Sequence, residues 1–179
     1  MSDGTKAYIT GKSSDDDIRA SLDADGTMLR GMGGDDILRG GRYNDILIGG
    51  SGDDWMFGGV GADQFRFFGN EITGASDRDR IFDLTFSEGD VLVFGSFAAG
   101  TFSKMAGVNG FSSGTSAVIS SYEGIVNAAA FSDSVTAVRQ SQYNDNLLLK
   151  VTNSTGQVQE ILISGGWSQY VAAGGTEGL

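Results

Sequence analysis

The chain has 179 residues, a formal net charge of −11, and no cysteine, histidine or proline. The missing residue types exclude disulfides, Cys-based metal sites, Ser-His-Asp hydrolases and most transition-metal enzymes. The negative charge disfavours polyanionic partners, so we predict that the chain binds no nucleic acid. No apolar run approaches the roughly 20 residues of a membrane-spanning helix, so we also predict no membrane insertion.

The first feature in chain order is a nine-residue repeat. Four consecutive blocks are GMGGDDILR (31–39), GGRYNDILI (40–48), GGSGDDWMF (49–57) and GGVGADQFR (58–66). Each block begins with glycine, and the aspartates at the sixth place are Asp36, Asp45, Asp54 and Asp63. The apolar residues at the eighth place are Leu38, Leu47, Met56 and Phe65. An earlier block, 11–19, fits the frame with Asp16 and Ile18, and an 11-residue stretch separates it from Gly31. If the insertion sits early in that stretch, Leu29 continues the apolar column, which Ile9 begins.

The repeat predicts a solenoid with two parallel sheets. Six turn-forming residues followed by three β-compatible ones give a turn and a short strand, and only the middle strand residue points inward. Glycines supply the positive φ values that such turns need. Two blocks form one coil, so residues eighteen positions apart stack at the ~4.8 Å spacing of neighbouring strands.

This stacking brings acidic side chains together. Asp36 lies next to Asp54 and Asp45 next to Asp63, and two carboxylates ~5 Å apart repel by about 3 kcal/mol at an effective dielectric near 20. A column of such pairs opposes folding unless a cation lies between the turns. Carboxylates and backbone carbonyls are the ligands that calcium prefers, whereas magnesium demands a tighter octahedron and retains its waters.

The blocks resemble the GGxGxDxUx nonapeptide of RTX (repeats-in-toxin) proteins, a calcium-binding β-roll signature, and the resemblance covers about residues 11–68. It implies calcium ligands at the sixth-place aspartates, completed by backbone carbonyls of the glycine turns. The glycines of these turns are Gly31, Gly33, Gly40, Gly49 and Gly58. Asp16 and Asp25 are poorer candidates, because their turns depart from the pattern at Lys12, Ser13, Ser14 and Ala20. We expect two well-formed sites, two degraded ones, and solvated side chains at Asp35 and Asp53.

After Gly69 the nine-residue period ends and the composition changes. Strands are predicted at Ile81–Leu84, Val91–Phe94, Leu147–Val151 and Val158–Ile163, the last two as a hairpin. Helical spacing predicts one short helix at Ser121–Phe131, and glycine predicts a loop at Phe111–Thr115. The predicted fold class is therefore all-β: a parallel β-roll in residues 1–68, and a β-rich cap with a secretion-signal region in residues 69–179, packed on the roll.

The segment 77–94, DRDRIFDLTFSEGDVLVF, resembles the start of the cap in secreted RTX proteins. This resemblance implies one more calcium site from Asp79, Asp83 and Asp90. A cap also has a physical role, because an open roll ends in unpaired strand edges that invite stacking with another chain. Trp167, Tyr170 and Val171 either fill the core of the cap or remain exposed.

No arrangement of residues in the sequence indicates catalysis, so we predict that the chain is not an enzyme. The RTX resemblance implies export by type I secretion machinery and an extracellular or cell-surface location. We expect a calcium-loaded structural protein that forms a matrix, surface layer, fibre or adhesive assembly by self-association through the roll edges. The alternative is the C-terminal calcium-binding and secretion module of a larger RTX enzyme, such as a protease, lipase or polysaccharide epimerase. A carbohydrate-binding module would need exposed aromatic residues, and Trp55 should face outward.

Overall fold

A computed structural model describes residues 7–20, 25–74, 76–97, 101–102, 116–131, 134–153 and 155–176. The roll strands are β1 (Ala7–Thr10), β2 (Asp17–Arg19), β3 (Thr27–Gly33), β4 (Ile37–Gly41), β5 (Ile46–Ser51), β6 (Trp55–Gly59), β7 (Gln64–Phe68), β8 (Ser76–Ile81) and β9 (Val91–Gly95). The later elements are β10 (Ala117–Ile119), α1 (Tyr122–Phe131), β11 (Val135–Arg139), β12 (Leu147–Thr152), β13 (Val158–Ile163) and α2 (Gly166–Ala172). The molecule is thus mostly β-structure, as predicted.

The strands β1 to β9 alternate between two parallel sheets and form the roll. One sheet has the order β1-β3-β5-β7-β9-β10, and the other has the order β11-β12-β13-β8-β6-β4-β2. The predicted register is confirmed, because Leu29 pairs with Leu47 and Leu47 with Phe65, each eighteen residues apart. Ile9 pairs with Leu29, which places the insertion before Leu29. The side chains of this column are buried from Leu29 to Phe65, and they form the narrow core of the roll.

The coils continue beyond the last nonapeptide. Ile81 of β8 pairs with Met56, and Leu92 of β9 pairs with Phe65, at offsets of 25 and 27 residues. The longer offsets are absorbed in the turns, because both apolar side chains remain fully buried in the column. The strand predicted at Ile81–Leu84 is wrong: it runs from Ser76 to Ile81, since Ile81 fills the last inward place before the next turn. Leu84 is buried outside any strand.

The roll end formed by β8 and β9 is covered by antiparallel and helical elements. Strand β10 pairs with β9, β13 pairs in parallel with β8, and the predicted hairpin of β12 and β13 is confirmed. The predicted helix is confirmed as α1, which buries Ile125 and Ala128. The described residues also contain a second short helix, α2, that the sequence did not predict. Its seven residues are too few for a periodic signal, but Trp167 and Tyr170 are both buried.

Three further expectations can be placed. Val171 is 41% exposed, so only Trp167 and Tyr170 of the three C-terminal candidates enter the core. Trp55 is 49% exposed and faces outward, as predicted. The loop predicted at Phe111–Thr115 lies outside the described residues.

Neither helix of the described chain has the length and apolar character needed to cross a bilayer.

Met32 occupies a backbone conformation that favours glycine. Its φ is 89°, and it pairs with Gly50, whose φ is 112° at the same second place of the repeat. A side chain in this region costs on the order of 1 kcal/mol. We expect Met32→Gly to raise the melting temperature by a few degrees in calcium, because the strain is relieved and the Met32 side chain is 46% exposed. Thermal unfolding followed by circular dichroism measures this, and an unchanged or lower melting temperature contradicts it.

Candidate metal centre

The sixth-place aspartates form two columns, one on each side of the roll, and we call them the inner ladders. On the first side, each Oδ1 accepts the backbone N–H of the aspartate one coil earlier. The donor–acceptor pairs are Asp16 to Asp36 (2.8 Å), Asp36 to Asp54 (2.8 Å) and Asp54 to Asp79 (3.0 Å). On the second side, the pairs are Thr27 to Asp45 (2.6 Å), Asp45 to Asp63 (2.7 Å) and Asp63 to Asp90 (2.9 Å). The carboxylates therefore stack along the roll, as the period predicts.

The second oxygen of each carboxylate shows where the ladders are incomplete. At four places Oδ2 accepts a hydrogen bond from within the protein. The donors are Lys12 N–H to Asp16, Gly41 N–H to Asp45, Thr85 N–H to Asp90 and Gln159 Nε2 to Asp79. At Asp36, Asp54 and Asp63, Oδ2 is buried and has no hydrogen-bond partner. A buried carboxylate oxygen without a partner is costly, so these three places require a cation or a proton.

A side chain at the first place of a block would collide with a carboxylate of the inner ladders. A methyl group on Gly31 or Gly49 would lie 2.0 Å from Oδ2 of Asp36 or Asp54. The same group on Gly58 would lie 2.4 Å from Asp63 Oδ2. None of these three glycines has a positive φ, so the positive φ expected of turn glycines does not apply to them. Positive φ is found at the second and fourth places instead, for example at Gly50 and Gly52.

Backbone carbonyls also approach this space. A methyl group on Gly31 would meet the Gly49 carbonyl oxygen at 2.5 Å, and one on Gly40 would meet the Gly58 carbonyl oxygen at 2.1 Å. Gly33 lies in the same turn as Gly31 but has looser surroundings, since a methyl group on it would lie 3.0 Å from Ser51 Oγ. The neighbourhood of Gly31 and of Gly40 therefore holds both a carboxylate oxygen and a carbonyl oxygen of the next coil.

Burial raises the pKa of the ladder carboxyl groups. It raises the pKa of Asp36 and of Asp63 to about 6, and neighbouring carboxylates add to the shift. It also raises the pKa of Asp54 and of Asp79, which lie against each other in the first ladder. The pKa of Asp90 is raised mainly by burial. Without a cation, the ladder carboxyl groups therefore take up protons at a higher pH than ordinary aspartates do.

A second, exposed column runs beside the first inner ladder. Oδ1 of Asp15 accepts the Asp35 N–H, Oδ1 of Asp35 accepts the Asp53 N–H, and Oδ1 of Asp53 accepts the Arg78 N–H. Asp35 and Asp53 are exposed, as expected, but each also links two coils. The sequence-based prediction missed this column, although the repeated Asp-Asp pair at the fifth and sixth places was its signal.

Of the two weaker predicted ligands, one lies in a ladder and the other does not. Asp16 is half-buried and continues the first ladder. Asp25 is exposed and lies outside the second ladder, because the register places Thr27 next to Asp45. Thr27 is buried and its hydroxyl oxygen has no hydrogen-bond partner. The insertion thus moves the aspartate away from the column.

The three aspartates expected to form one further site lie in different places. Asp79 belongs to the first ladder and Asp90 to the second. Asp83 accepts the N–H groups of Gly58 and Gly59, and its charge acts on Asp90 and Asp63. Only Asp83 and Asp90 are brought together, on the side of Asp63.

The oxygen ligands available here fit a hard cation whose coordination shell is completed by backbone carbonyls. Among the described residues, no three acidic side chains converge on one point. A site therefore needs carbonyl oxygens as well as carboxylates, and calcium accepts such mixed sets at 2.3–2.6 Å. The unpartnered Oδ2 atoms of Asp36, Asp54 and Asp63 offer the carboxylate part. Calcium would neutralise adjacent carboxylates and supply the missing partner of each oxygen.

Comparisons with known proteins identify the repeats and the fold. Residues 30–65 match the family model of the RTX calcium-binding nonapeptide repeat, in four copies, so this part of the chain consists of calcium-binding RTX repeats. The solved AlgE6R2 subunit of the Azotobacter vinelandii mannuronan C5-epimerase is similar over 96% of this chain and 89% of its own, with 22% identity and a TM-score of 0.54. The AlgE6R3 subunit of the same epimerase is similar over 96% of this chain and 80% of its own, also with 22% identity and a TM-score of 0.54. These two likenesses show the β-roll fold. No curated protein matches the sequence.

Proposed function

We propose that this chain, whose residues 30–65 are calcium-binding RTX repeats, is a secreted, non-catalytic structural protein that folds when it binds calcium outside the cell. The observation that carries the proposal is the set of three buried carboxylate oxygens without a partner, on Asp36, Asp54 and Asp63. The metal-free roll must bury these oxygens at a cost, and an ion that binds only the folded roll removes it. Folding and calcium binding are then one equilibrium.

The linkage has a calculable size. An ion that binds only the folded state stabilises it by about 2.7 kcal/mol per site at a hundredfold excess over the dissociation constant. Several sites are enough to decide the folding of a domain whose total stability is about 5–15 kcal/mol. Such a chain stays unfolded where calcium is scarce, as in a cytosol, and folds where it is plentiful. This behaviour suits export as an unfolded chain through type I secretion machinery.

The open end of the roll supports a role in assembly. Among the described residues, β1 and β2 are the edge strands at this end, whereas at the other end the two sheets continue with β10 and with β13, β12 and β11. Ile9 and Ile18 end the two halves of the apolar core there. An open end with unpaired backbone groups can pair with another copy of the chain. We therefore propose self-association through this end, with calcium-dependent polymers as its visible result.

A second candidate function is a non-catalytic module of a larger enzyme. The solved structures of similar fold are described as subunits of a mannuronan epimerase, and this favours the alternative. An upstream reading frame that continues into a catalytic domain would support the module, and a stop codon directly before Met1 would support the independent protein.

Calcium removal is expected to abolish the folded state at neutral pH. In chelator, far-ultraviolet circular dichroism should show a coil spectrum, and millimolar calcium should restore a β-spectrum. Magnesium at the same concentration is the matched control and should restore little, because its smaller octahedral shell fits the turns poorly. Size-exclusion chromatography in calcium tests assembly in the same samples. A fully folded protein in chelator at pH ~7.5 contradicts the proposal, and a strict monomer at high concentration contradicts the assembly.

A further inference from the structure

A buried carboxylate lies in the last coil at a place where the two repeats 31–39 and 49–57, on the same side of the roll, have glycine. Asp77 is the second residue of β8 and is 3% exposed. The 25-residue offset between β6 and β8 places it next to Gly52, the fourth residue of its block. The chain turns there on a glycine with φ 119°, as it does at Gly34 with φ 96°. Asp77 therefore adds a side-chain oxygen where the repeats offer only backbone.

One hydrogen bond fixes the direction of this carboxylate. The Gly52 N–H donates to Asp77 Oδ1 over 2.7 Å, so the side chain reaches back to the turn 49–54. The other oxygen, Oδ2, is buried and has no hydrogen-bond partner. Asp54 belongs to that same turn, is fully buried, and has an Oδ2 that also lacks a partner. The turn 49–54 and the start of β8 thus each present one carboxylate with an unpartnered oxygen.

The charged groups that act on Asp77 do not neutralise its carboxylate. The groups whose charges act on it are acidic, namely Asp53, Asp35 and Glu71. The basic side chains of this region are paired elsewhere, Arg30 with Glu71 and Arg78 with Glu160, each at 2.5 Å. No ion pair found among the described residues includes Asp77. A divalent cation with a preference for oxygen would neutralise both carboxylates at once.

We propose that Asp77 Oδ2 and Asp54 Oδ2 bind one calcium ion between the turn 49–54 and the start of β8. Asp77 lies outside the matched repeats, so this site joins the last nonapeptide coil to the covering strands. The inference rests on the proposed calcium-dependent folding, and it assigns the specific ligand that completes the site at this coil. The ion ties β8, and through it β13, to the repeats.

The test is the number of calcium ions bound per chain. Asp77→Asn keeps an Oδ1 that can accept the Gly52 N–H but removes the charge, and we expect it to bind one ion fewer than the unaltered chain. Asp53→Asn is the matched control, because it removes a charge from an exposed neighbour that also accepts a backbone N–H. This control is expected to bind as many ions as the unaltered chain. Native mass spectrometry in calcium counts the ions, and isothermal titration calorimetry measures the loss independently.

Asp77→Gly provides a second variant, since Gly34 and Gly52 occupy this place in the repeats on the same side of the roll. It is also expected to lose one ion, and it avoids a buried amide NH2 group without an acceptor. If either folded variant binds as many ions as the unaltered chain, the site is overturned. If the unaltered chain binds no calcium, calcium-dependent folding fails instead, so the two failures are distinguishable.

Discussion

The metal-free protein is expected to lose stability as the pH rises from about 5 to about 8, and saturating calcium is expected to abolish this loss. The folded-state pKa of Asp36, Asp63 and Asp77 lies at about 6, mainly because these groups are buried. In the unfolded chain an aspartate has a pKa near ~3.9. The folded state therefore holds more protons between these values. Its stability from these groups is fully present below the unfolded pKa and is lost as pH rises through the folded pKa.

The expected loss is large relative to the stability of a small domain. Between pH ~5 and pH ~8, each of the three groups contributes about 1.4 kcal/mol, so together they contribute about 4 kcal/mol. The raised pKa values of Asp54 and Asp79 act in the same direction. The pKa of Glu160 is lowered by Lys150 and Arg78 despite its burial, so its opposite effect falls at acidic pH.

Urea unfolding in chelator, at steps upward from pH ~5 until the folded state is lost near neutral pH, measures the dependence. Calcium binds the ionised carboxylates, so the same series in millimolar calcium should be flat or should rise with pH. Asp53→Asn, at the exposed column, should lower the slope in chelator only slightly, because burial raises the pKa of Asp77 and Asp79 more than the charge of Asp53 does. A metal-free protein that becomes more stable towards the alkaline end of the series contradicts the burial of uncompensated carboxylates.

Gly40→Ala is expected to disrupt the second side of the roll, whereas Gly41→Ala is expected to be tolerated. The new methyl group at residue 40 would lie 2.1 Å from the Gly58 carbonyl oxygen and 2.7 Å from Asp45 Oδ2. The Gly58 oxygen belongs to the backbone of the next coil, so the coils must move apart. The nearest atoms to a methyl group at residue 41 are 3.9 Å away, and Gly41 has no positive φ. Two adjacent glycines thus form a matched pair.

The free energy of unfolding in calcium should fall by about 3 kcal/mol or more for Gly40→Ala, because overpacking against backbone cannot be relieved by a side-chain rotation. For Gly41→Ala the change should stay within about 1 kcal/mol. Calorimetry should also show weaker calcium binding for the first variant alone. Equal stabilities of the two variants would mean that the first-place glycine is not needed for close approach.

The core of the roll was predictable because a fixed period fixes the neighbours. Leu29, Leu47 and Phe65 lie in one column since each coil contains two blocks of nine residues. The same period stacks Asp36 on Asp54. Both predictions need only the spacing along the chain and the pleat of a strand.

The period could not place the last coil. Its paired residues lie 25 and 27 positions apart, seven and nine more than the eighteen of the repeats. A local signal was nevertheless present: Asp79 and Asp90 each stand two residues before a column residue, Ile81 and Leu92, as Asp36 stands before Leu38. Asp77 had no such signal, because its burial depends on the path of the preceding turn.

Contacts that depend on distant segments lie beyond any local pattern. Gln159 donates to Asp79 Oδ2 over 2.8 Å, although 80 residues separate them in the sequence. The pairing of β13 with β8 creates this contact. The Gln159 amide is thus the hydrogen-bond partner of the last Oδ2 in the first ladder, whereas Oδ2 of Asp36 and Asp54 has none. Helix α2 is similar, since the burial of Trp167 and Tyr170 stabilises a segment too short to be helical alone.

The most direct test of calcium as the partner of the stacked aspartates is a crystal structure grown in calcium, with anomalous difference density collected at long wavelength. We predict peaks within about 2.3–2.6 Å of Oδ2 of Asp36, Asp54 and Asp63, with carbonyl oxygens of neighbouring turns in the same shells. Stacked carboxylates with no density between them, in a fully folded protein at neutral pH, would contradict it.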